Sequence, residues 1–323
     1  MYKYTIARIL LLIPTVIGAG IIVFFLIRLI PGDICVTRWV DFGTDLDPSL
    51  LQSCRDHYGL NDPLLVQFGK FFLNILSLDF GMSMWTGNSM AVELGSRFAL
   101  SFQVAFMALF FTVAVGLPLG VVAAKKHGSL IDKSITAVSI LGVAVPSFWV
   151  GILCILGILI LSQKLLGNPW MPPIIYVSPI EDLGENLSQL LLPAVAVGVR
   201  YLAITVRMTR SAMLEVLEED YIRTARSQGI SEPIIARRHA LRNALLPIVT
   251  VLSAEFAFLI GGLVVTEQVF NLNGIGALLV QALIDGDYVV VQTLVMLIAL
   301  VFALVNLIVD LIYSWLDPRI RYD

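Results

Sequence analysis

Six long apolar stretches, each about the length of a membrane-spanning helix, dominate the sequence. They cover approximately residues 9–30, 100–124, 134–162, 189–210, 245–270 and 288–316. A helix needs about 20 mainly apolar residues to cross the hydrocarbon core of a bilayer, since each residue adds only about 1.5 Å. Inside a bilayer the backbone polar groups must bond within the chain, which favours helices. The pattern therefore predicts an all-α polytopic membrane protein with six transmembrane helices.

The composition agrees with this architecture. Hydrophobic residues make up 58% of the chain and charged residues 14%, which excludes a soluble globular domain. The chain begins with a basic flank like that of a signal peptide, but the apolar run after it exceeds the roughly 7–15 residues of a signal core. No small-residue cleavage site follows, so we expect the first span to be retained. There is no Lys/Arg-rich tail or repeated basic patch, and nucleic acid is not an expected partner.

The distribution of Lys and Arg predicts the orientation. With the N-terminus inside, 14 of the 21 Lys and Arg residues fall in cytoplasmic segments and five in external segments. Because positively charged loops stay in the cytoplasm, both termini are predicted to be cytoplasmic. The loop from about 271 to 287 has no Lys or Arg, which supports an external position. In the fourth span, Arg200, Arg207 and Arg210 are expected to extend to the cytoplasmic headgroups.

We expect one transmembrane domain over residues 1–323. Its predicted parts are the first span (1–30), an external segment (31–99), a core of spans two to five (100–270) that contains a cytoplasmic loop (211–244), and residues 271–323, with an external loop, the sixth span and a cytoplasmic tail. Within the external segment, an apolar face between residues 64 and 75 predicts a helix that lies along the membrane surface or packs on the spans.

The longest polar interruption late in the chain is residues 218–247, EEDYIRTARSQGISEPIIARRHALRNALLP, which we name the elbow. Gly229 suits a left-handed residue at a helix end, Ser231 suits the start of the next helix, and Pro233 is tolerated in a first turn. The elbow is therefore predicted to be two short helices joined by a tight corner. An apolar stripe of three- and four-residue steps is expected before the corner. Its members are Leu214, Leu217, Tyr221 and Ala225.

By composition alone the elbow is an ordinary basic loop, but its exact residue sequence is more specific. DYIRTARSQG followed by HALRNALLP resembles the cytoplasmic loop of permease subunits of binding-protein-dependent ABC importers, most closely the first permease of the dipeptide, oligopeptide and nickel group. Segments similar to this family continue along nearly the whole chain. They include RFALSFQVAF, VAVPSFWVG, VVTEQVFNLNGIGALLVQALIDGDYVVVQ and NLIVDLIYSWLDPRIR.

The resemblance implies the type I ABC importer permease fold in a bacterial inner membrane. It also implies the partners: a second homologous permease, one or two ABC ATPase subunits and a periplasmic substrate-binding protein. This chain would bind no cofactor, because ATP and Mg would be used by the ATPase subunits. Short peptides are the implied substrate, with nickel, glutathione and oligosaccharides as alternatives.

In that family the loop around the glycine is the coupling region, which sits in a groove of the ATPase. The resemblance therefore implies a set of ATPase-coupling residues in the elbow. They are Asp220, Tyr221, Thr224, Ala225, Arg226, Gly229, Arg238, His239, Arg242 and Asn243. Arg223, Thr224 and Ala225 stand where the family has Glu-Ala-Ala, so the side chain that contacts the ATPase stays open.

Ionisable residues inside spans are candidate pathway residues, because a charge is costly in a bilayer. Glu255 lies in the inner half of the fifth span and is expected to line the translocation pathway or to pair with a neighbouring helix. Glu267 and Asp310 lie towards the ends of their spans, where a structural role is the alternative.

The sequence contains no recognisable catalytic apparatus. No GxxxxGK(S/T), HExxH, GxSxG or CxxC motif is present, and the three histidines are far apart. Two other function classes compete with the permease. A self-sufficient secondary transporter would show internal repeats or a buried chain of acidic groups and histidines, and neither is visible. An intramembrane enzyme would need a nucleophile, a metal site or an acid pair.

Cys35 and Cys54 fall in the same predicted external segment, where a disulfide can form. Two free thiols are the alternative. Cys154 lies in an apolar run, and packing is its expected role. No metal site is predicted from three scattered cysteines.

The disulfide predicts a specific thiol count. Denatured but unreduced protein should react at one thiol, that of Cys154, and reduction should raise the count to three. Labelling followed by intact-mass measurement makes the comparison. Three reactive thiols before reduction would rule the bridge out.

Overall fold

A computed structural model describes residues 2–29, 35–36, 48–77 and 79–316. These ranges are largely helical and contain no strand beyond an isolated antiparallel bridge between Met82 and Ser89. The helices are α1 Tyr2–Leu29, α2 Pro48–His57, α3 Leu64–Leu76, α4 Met90–Lys125, α5 Leu130–Ala144, α6 Ser147–Leu166, α7 Leu183–Leu217, α8 Asp220–Ser227, α9 Glu232–Gly262, α10 Val264–Val269, α11 Ile275–Ile284 and α12 Tyr288–Leu316. The predicted cytoplasmic tail after residue 316 lies outside the described residues.

Six of these helices are long and apolar enough to cross a membrane, which confirms the predicted number: α1, α4, α6, α7, α9 and α12. The prediction of one continuous third span over 134–162 is wrong. Val145 has an extended backbone (φ −85°, ψ 128°), because the ring of Pro146 disfavours the helical conformation in the residue before it. The spanning helix therefore starts at Ser147, and α5 is a separate helix. Pro118 and Pro193, by contrast, lie inside continuous helices.

The chain divides into two compact units. The first comprises Met1–Ala99 and Asn273–Leu304, and the second comprises Leu100–Leu272 and Val305–Asp323. The long helices α4 and α12 each contribute to both.

Aromatic packing and a disulfide organise the first unit. The Phe24 ring of α1 lies 5.3 Å from Phe68 and 5.9 Å from Phe71 of α3, centroid to centroid, so α3 packs on the first span. Cys35 and Cys54 are joined by a disulfide, and Cys35 is fully buried. This bridge ties the segment after α1 to α2.

The Asp287 carboxylate makes hydrogen bonds that fix the start of α12. This residue was not identified from the sequence. One carboxylate oxygen accepts hydrogen bonds from Ser83 Oγ at 2.7 Å and the Trp85 N–H at 3.2 Å. The other accepts from the Val290 N–H at 3.2 Å and so caps the first turn of α12. The loop before α4 is thereby attached to the sixth span.

Helix α7 is the centre of the second unit, where it packs against α5, α6 and α9. Its contact with α4 is especially close. A Cβ added at Gly116 would lie 3.1 Å from Thr205 Cγ2, and one added at Gly120 would lie 2.5 Å from Thr209 Cβ. Glycines at this spacing let two helix backbones approach within a membrane.

Substitution of Gly120 tests this close contact. In Gly120→Ala the new methyl would also lie 2.9 Å from the carbonyl oxygen of Val206, so α4 and α7 would have to separate. We expect the free energy of unfolding to fall by about 1–3 kcal/mol, measured by thermal unfolding in detergent.

Gly157→Ala is the matched control. Gly157 lies within spanning helix α6, and among the described residues no atom outside its own helix lies within 4 Å of an added Cβ. Its substitution should leave stability unchanged or slightly raised. Equal stability of the two variants would contradict the close packing.

Candidate functional site

The corner of the elbow has the geometry of a fixed helix end. Helix α8 ends at Ser227, and Gly229 takes the left-handed conformation with φ +77°. The Ile230 N–H donates to the Ala225 carbonyl at 3.2 Å, and the Gly229 N–H donates to the Arg226 carbonyl at 3.0 Å. This pair of bonds defines a Schellman motif. The tight corner predicted at Gly229 is present.

The return helix differs from the prediction. Ser231 stands at the N-cap position with an extended backbone, but its side chain makes no capping hydrogen bond, and Pro233 follows in the first turn. From there the chain runs as one helix into the fifth span rather than as a short separate helix. Its second turn, Ile235–Ala240, is a π-helix. Single π turns inside α-helices are frequent at functional sites.

The inner face of α8 is packed against three other helices. Ile222 and Ala225 of α8 join a buried cluster with Ile235 and Ala236 of α9. Further members come from α4 and α7: Ala124, Ala212 and Met213. The elbow is therefore supported from beneath by the ends of spans two and four.

The predicted apolar stripe is only partly correct. Helix α7 ends at Leu217 and α8 restarts at Asp220, so the helical register changes between them. The fully buried residue of α8 is consequently Ile222, while Tyr221 is 41% exposed. Ala225 is buried inside the elbow, so it cannot present a face to a partner unless the elbow opens.

Polar bonds close the elbow on its outer side. The Asn243 amide donates to Tyr221 Oη at 2.6 Å and so links α8 to α9. Arg226 Nε lies 2.7 Å from a Glu232 carboxylate oxygen across the corner. That ion pair is largely exposed and adds little stability, but it orients the Arg226 side chain.

Most of the other predicted coupling residues lie on the surface. Asp220, Thr224, Gly229, Arg238 and Arg242 are exposed, and His239 is partly exposed. Among the described residues, no carboxylate lies within ion-pair distance of Arg238 or Arg242. Their charges are thus available on the outer face.

A buried ion pair next to the elbow was missed in the sequence. The side chain of Asp132 in α5 is only 3% exposed. Its carboxylate accepts hydrogen bonds from Arg210 Nε at 2.6 Å and from Arg210 Nη2 at 2.9 Å. The Gly128 N–H donates to the same carboxylate at 2.9 Å, and His127 Nδ1 lies 3.4 Å away. Arg210 is therefore paired inside the protein. The expectation that it extends to the headgroups is wrong. The S-x-x-D spacing from Ser129 marks a helix start and could have drawn attention to Asp132.

These donors decide the protonation state of Asp132. Hydrogen bonds from Arg210, then from the Gly128 N–H, hold the pKa of this carboxyl well below its usual range, and burial opposes them only in part. Asp132 is an anion at every physiological pH. The bidentate pair joins the α4–α5 corner to α7, two turns before the elbow begins.

The two predicted pathway glutamates are both buried and lie in different surroundings. Glu255 of α9 is 5% exposed and accepts from Thr205 Oγ1 of α7 at 3.2 Å. Its Oε1 and the Thr209 hydroxyl have no hydrogen-bond partner among the described residues. Glu267 is 1% exposed and accepts from Ser101 Oγ at 2.6 Å. It lies in α10, beyond the end of the fifth span at Gly262. A pathway role for either stays a prediction.

The chain is similar to a family of transport proteins and to two named permeases. The family described as "Binding-protein-dependent transport system inner membrane component" matches residues 116–322. The probable peptide ABC transporter permease protein y4tP of Sinorhizobium fredii is 38% identical over 322 residues, with both chains fully covered. The dipeptide transport system permease protein DppB of Alkalihalophilus pseudofirmus is 34% identical over 342 residues, again with full coverage of both.

The chain is also similar to a glutathione permease and to a solved ABC transporter structure. The glutathione transport system permease protein GsiC of Salmonella paratyphi A is 34% identical over 322 residues, covering all of both chains. Among solved structures, an inward-facing conformation of the MetNI methionine ABC transporter matches with a TM-score of 0.55 and 19% identity. The match covers 71% of this chain and 98% of that one, which shows a shared fold.

Replacement of Asp132 tests the buried pair. Removing one partner of a fully buried ion pair costs about 3–5 kcal/mol. The Arg210 side chain keeps 24% of its surface exposed, so we expect Asp132→Asn to lower the free energy of unfolding by about 2 kcal/mol. The loss should shrink as the pH falls below about 4, because a carboxyl with a depressed pKa loses its contribution on acidification.

Asp220→Asn is the control for this measurement. The Asp220 side chain is 94% exposed and its ion pair with Arg223 is on the surface, so its loss should change stability by less than about 0.5 kcal/mol. Denaturant unfolding of both variants between about pH 2 and pH 7 makes the comparison. A pH-independent loss, or equal losses in the two variants, would show that Asp132 does not act through its charge.

Proposed function

The chain belongs to the family of binding-protein-dependent transport system inner membrane components, and on that premise we propose that it forms, with a second permease, a pathway for short peptides. It is an ABC importer permease and a multi-pass protein of the inner membrane. In the proposed assembly a periplasmic binding protein delivers the peptide, and one or two ATPase subunits drive the cycle.

The names of similar proteins support the proposed substrate. Relatives named as peptide and dipeptide permeases are 34–38% identical to this chain over its whole length. Glutathione, which the relative GsiC is named for, is the second candidate, and it is itself a small peptide. The common substrate class is therefore a short chain with amide bonds and charged ends.

We assign ATPase docking to the exposed face of the elbow. The residues proposed for the contact are Asp220, Tyr221, Thr224, Arg226, Gly229, Arg238, His239, Arg242 and Asn243. Arg238 and Arg242 have no ion-pair partner among the described residues, and their charges suit carboxylates at the edge of a partner's groove. Ala225 acts from inside, because it packs α8 against the supporting cluster.

A rigid elbow can transmit a displacement of the ATPase subunits. The Schellman corner and the Asn243–Tyr221 hydrogen bond hold α8 to α9. The inner cluster attaches α8 to α4 and α7, and the Thr205–Glu255 bond joins α7 to α9 inside the membrane. Movement of α8 would therefore move spans two, four and five together. The proposed cycle exposes the pathway alternately to the two sides.

ATP and Mg²⁺ are assigned to the ATPase subunits in this proposal. The sequence has no phosphate-binding GxxxxGK(S/T) loop, so hydrolysis requires another polypeptide. The contribution of this chain is to shape the pathway and to receive the mechanical input at the elbow.

Gly229→Asp tests the coupling role. The left-handed backbone of Gly229 strains any other residue by about 1 kcal/mol, and the new carboxylate would stand on the docking face. In the assembly purified from native membranes and reconstituted with its binding protein, we expect peptide uptake to fall by about tenfold, equivalent to about 1.4 kcal/mol. ATP hydrolysis should persist, so that more ATP is consumed per peptide.

Gly167→Asp supplies the matched control. Gly167 follows α6 with φ +76°. Like Gly229, it has no atom within 4 Å of an added Cβ in the described part of the chain, apart from its immediate neighbours along the chain. It therefore carries the same strain away from the elbow, and uptake should remain normal. Normal uptake in Gly229→Asp, or equal losses in both variants, would refute the coupling assignment. Failure to recover ATPase subunits with the wild-type chain would refute the importer assembly.

A further inference from the structure

The first unit contains a cavity of about 520 Å³, lined by both charged and apolar side chains, that has no role in the transport proposal. Its volume falls within the roughly 300–1,000 Å³ of small-molecule sites. Both signs of charge line it: Arg28 at the end of α1, Lys70 of α3, and three aspartates. The aspartates are Asp56, Asp62 and Asp79. The predicted orientation places this end of α1 outside the membrane.

Arg28 is held rigidly at the wall of the cavity. Its Nη1 donates to the Phe24 carbonyl at 3.0 Å, and its Nη2 donates to Gln67 Oε1 at 2.7 Å. The guanidinium carbon lies 3.3 Å from the centroid of the Phe24 ring. Gln67 is fixed in turn, since its amide donates to the carbonyls of Leu60 and Asp62. The orientation of the guanidinium is therefore set before any ligand arrives.

This guanidinium has bonding capacity left over. A guanidinium has five N–H donors, and the two bonds above leave about three of them without a partner in the part of the chain that the structure describes. Among the described residues, no carboxylate lies within ion-pair distance of Arg28. A partly buried cation without an anion is unfavourable, and its planar donor edge matches a carboxylate.

The other charges of the cavity are arranged differently. Lys70 Nζ lies 2.6 Å from Asp62, so these two neutralise each other. Within the described ranges, the Asp56 carboxylate accepts only from the amides of Asn61 and Gln52, and the Asp79 carboxylate accepts from the Gly81 N–H. Neither has a cation within ion-pair distance in the described part of the chain. The cavity thus offers one unpaired cation together with two unpaired anions.

We propose that this cavity binds a short zwitterionic peptide, with its terminal carboxylate on Arg28 and its terminal ammonium at Asp56 or Asp79. The assignment deepens the proposed function, on which it rests together with the predicted orientation. The two aspartates disfavour a purely anionic ligand such as inorganic phosphate, because like charges repel. A site of this kind would retain peptide at the outer face of the membrane.

Direct binding by the purified assembly, without its binding protein, tests the cavity. The probe is the dipeptide Ala-Phe, followed by saturation-transfer NMR, with Ala-Phe amide as the analogue that lacks the carboxylate. We expect the amide to bind the wild-type assembly about tenfold more weakly than the free acid, the factor of one lost charged contact. Arg28→Gln should weaken the free acid to the same level and leave the amide unchanged.

Lys164→Gln is the matched control, because Lys164 is an exposed cation outside the cavity and its loss should not alter binding. Equal binding of acid and amide to the wild-type assembly would overturn the site without any variant. Loss of bound phospholipid in Arg28→Gln, with peptide binding unchanged, would show that Arg28 holds a lipid headgroup and would also overturn the proposed peptide site.

Peptide uptake with the binding protein is measured in parallel. Normal uptake without direct binding would reject the cavity alone, whereas absence of peptide uptake would reject the transport proposal.

Discussion

The close contact between α4 and α7 sets the geometry of the second unit. Glycines at positions 116 and 120 remove the side chains that would hold the two helices apart, so Thr205 and Thr209 lie against the α4 backbone. In a membrane, where lipid is as apolar as a leucine side chain, such surface complementarity drives helix association. Because α7 is then fixed against α4 in its C-terminal half, its end at Leu217 is fixed as well, and the elbow that follows has a defined support.

Buried charges in this protein are used to join helices. Asp132 and Arg210 connect the α4–α5 corner to α7, and Asp287 connects the loop before α4 to the start of α12. Each carboxylate is satisfied by several donors, which makes its burial tolerable. Arg28 is different, since the described residues accept hydrogen bonds from only some of its donors. The satisfied carboxylates therefore stabilise the fold, whereas the remaining donors of Arg28 are suited to binding a ligand.

The number of spans and the glycine corner were predictable because each depends on local chemistry. An apolar run long enough to cross a bilayer appears directly in the sequence, and a glycine before a new helix start has few other uses. The break at Val145 was also readable in principle, because Pro146 acts on its immediate neighbour. The burial of Ile222 in place of Tyr221 was not, since it depends on how far the chain turns between Leu217 and Asp220.

The sequence by itself determined the all-helical membrane architecture, the tight turn at Gly229 and the family to which the chain belongs. These follow from hydrophobicity, backbone conformational preference and residue order, which act over a few neighbouring positions. Only the tertiary structure decided which charged and polar side chains meet. Asp132 and Arg210 are 78 positions apart, and Arg28 and Gln67 are 39 apart. Such pairs exist because helix packing brings distant segments within hydrogen-bond distance, and a one-dimensional pattern carries no measure of that distance.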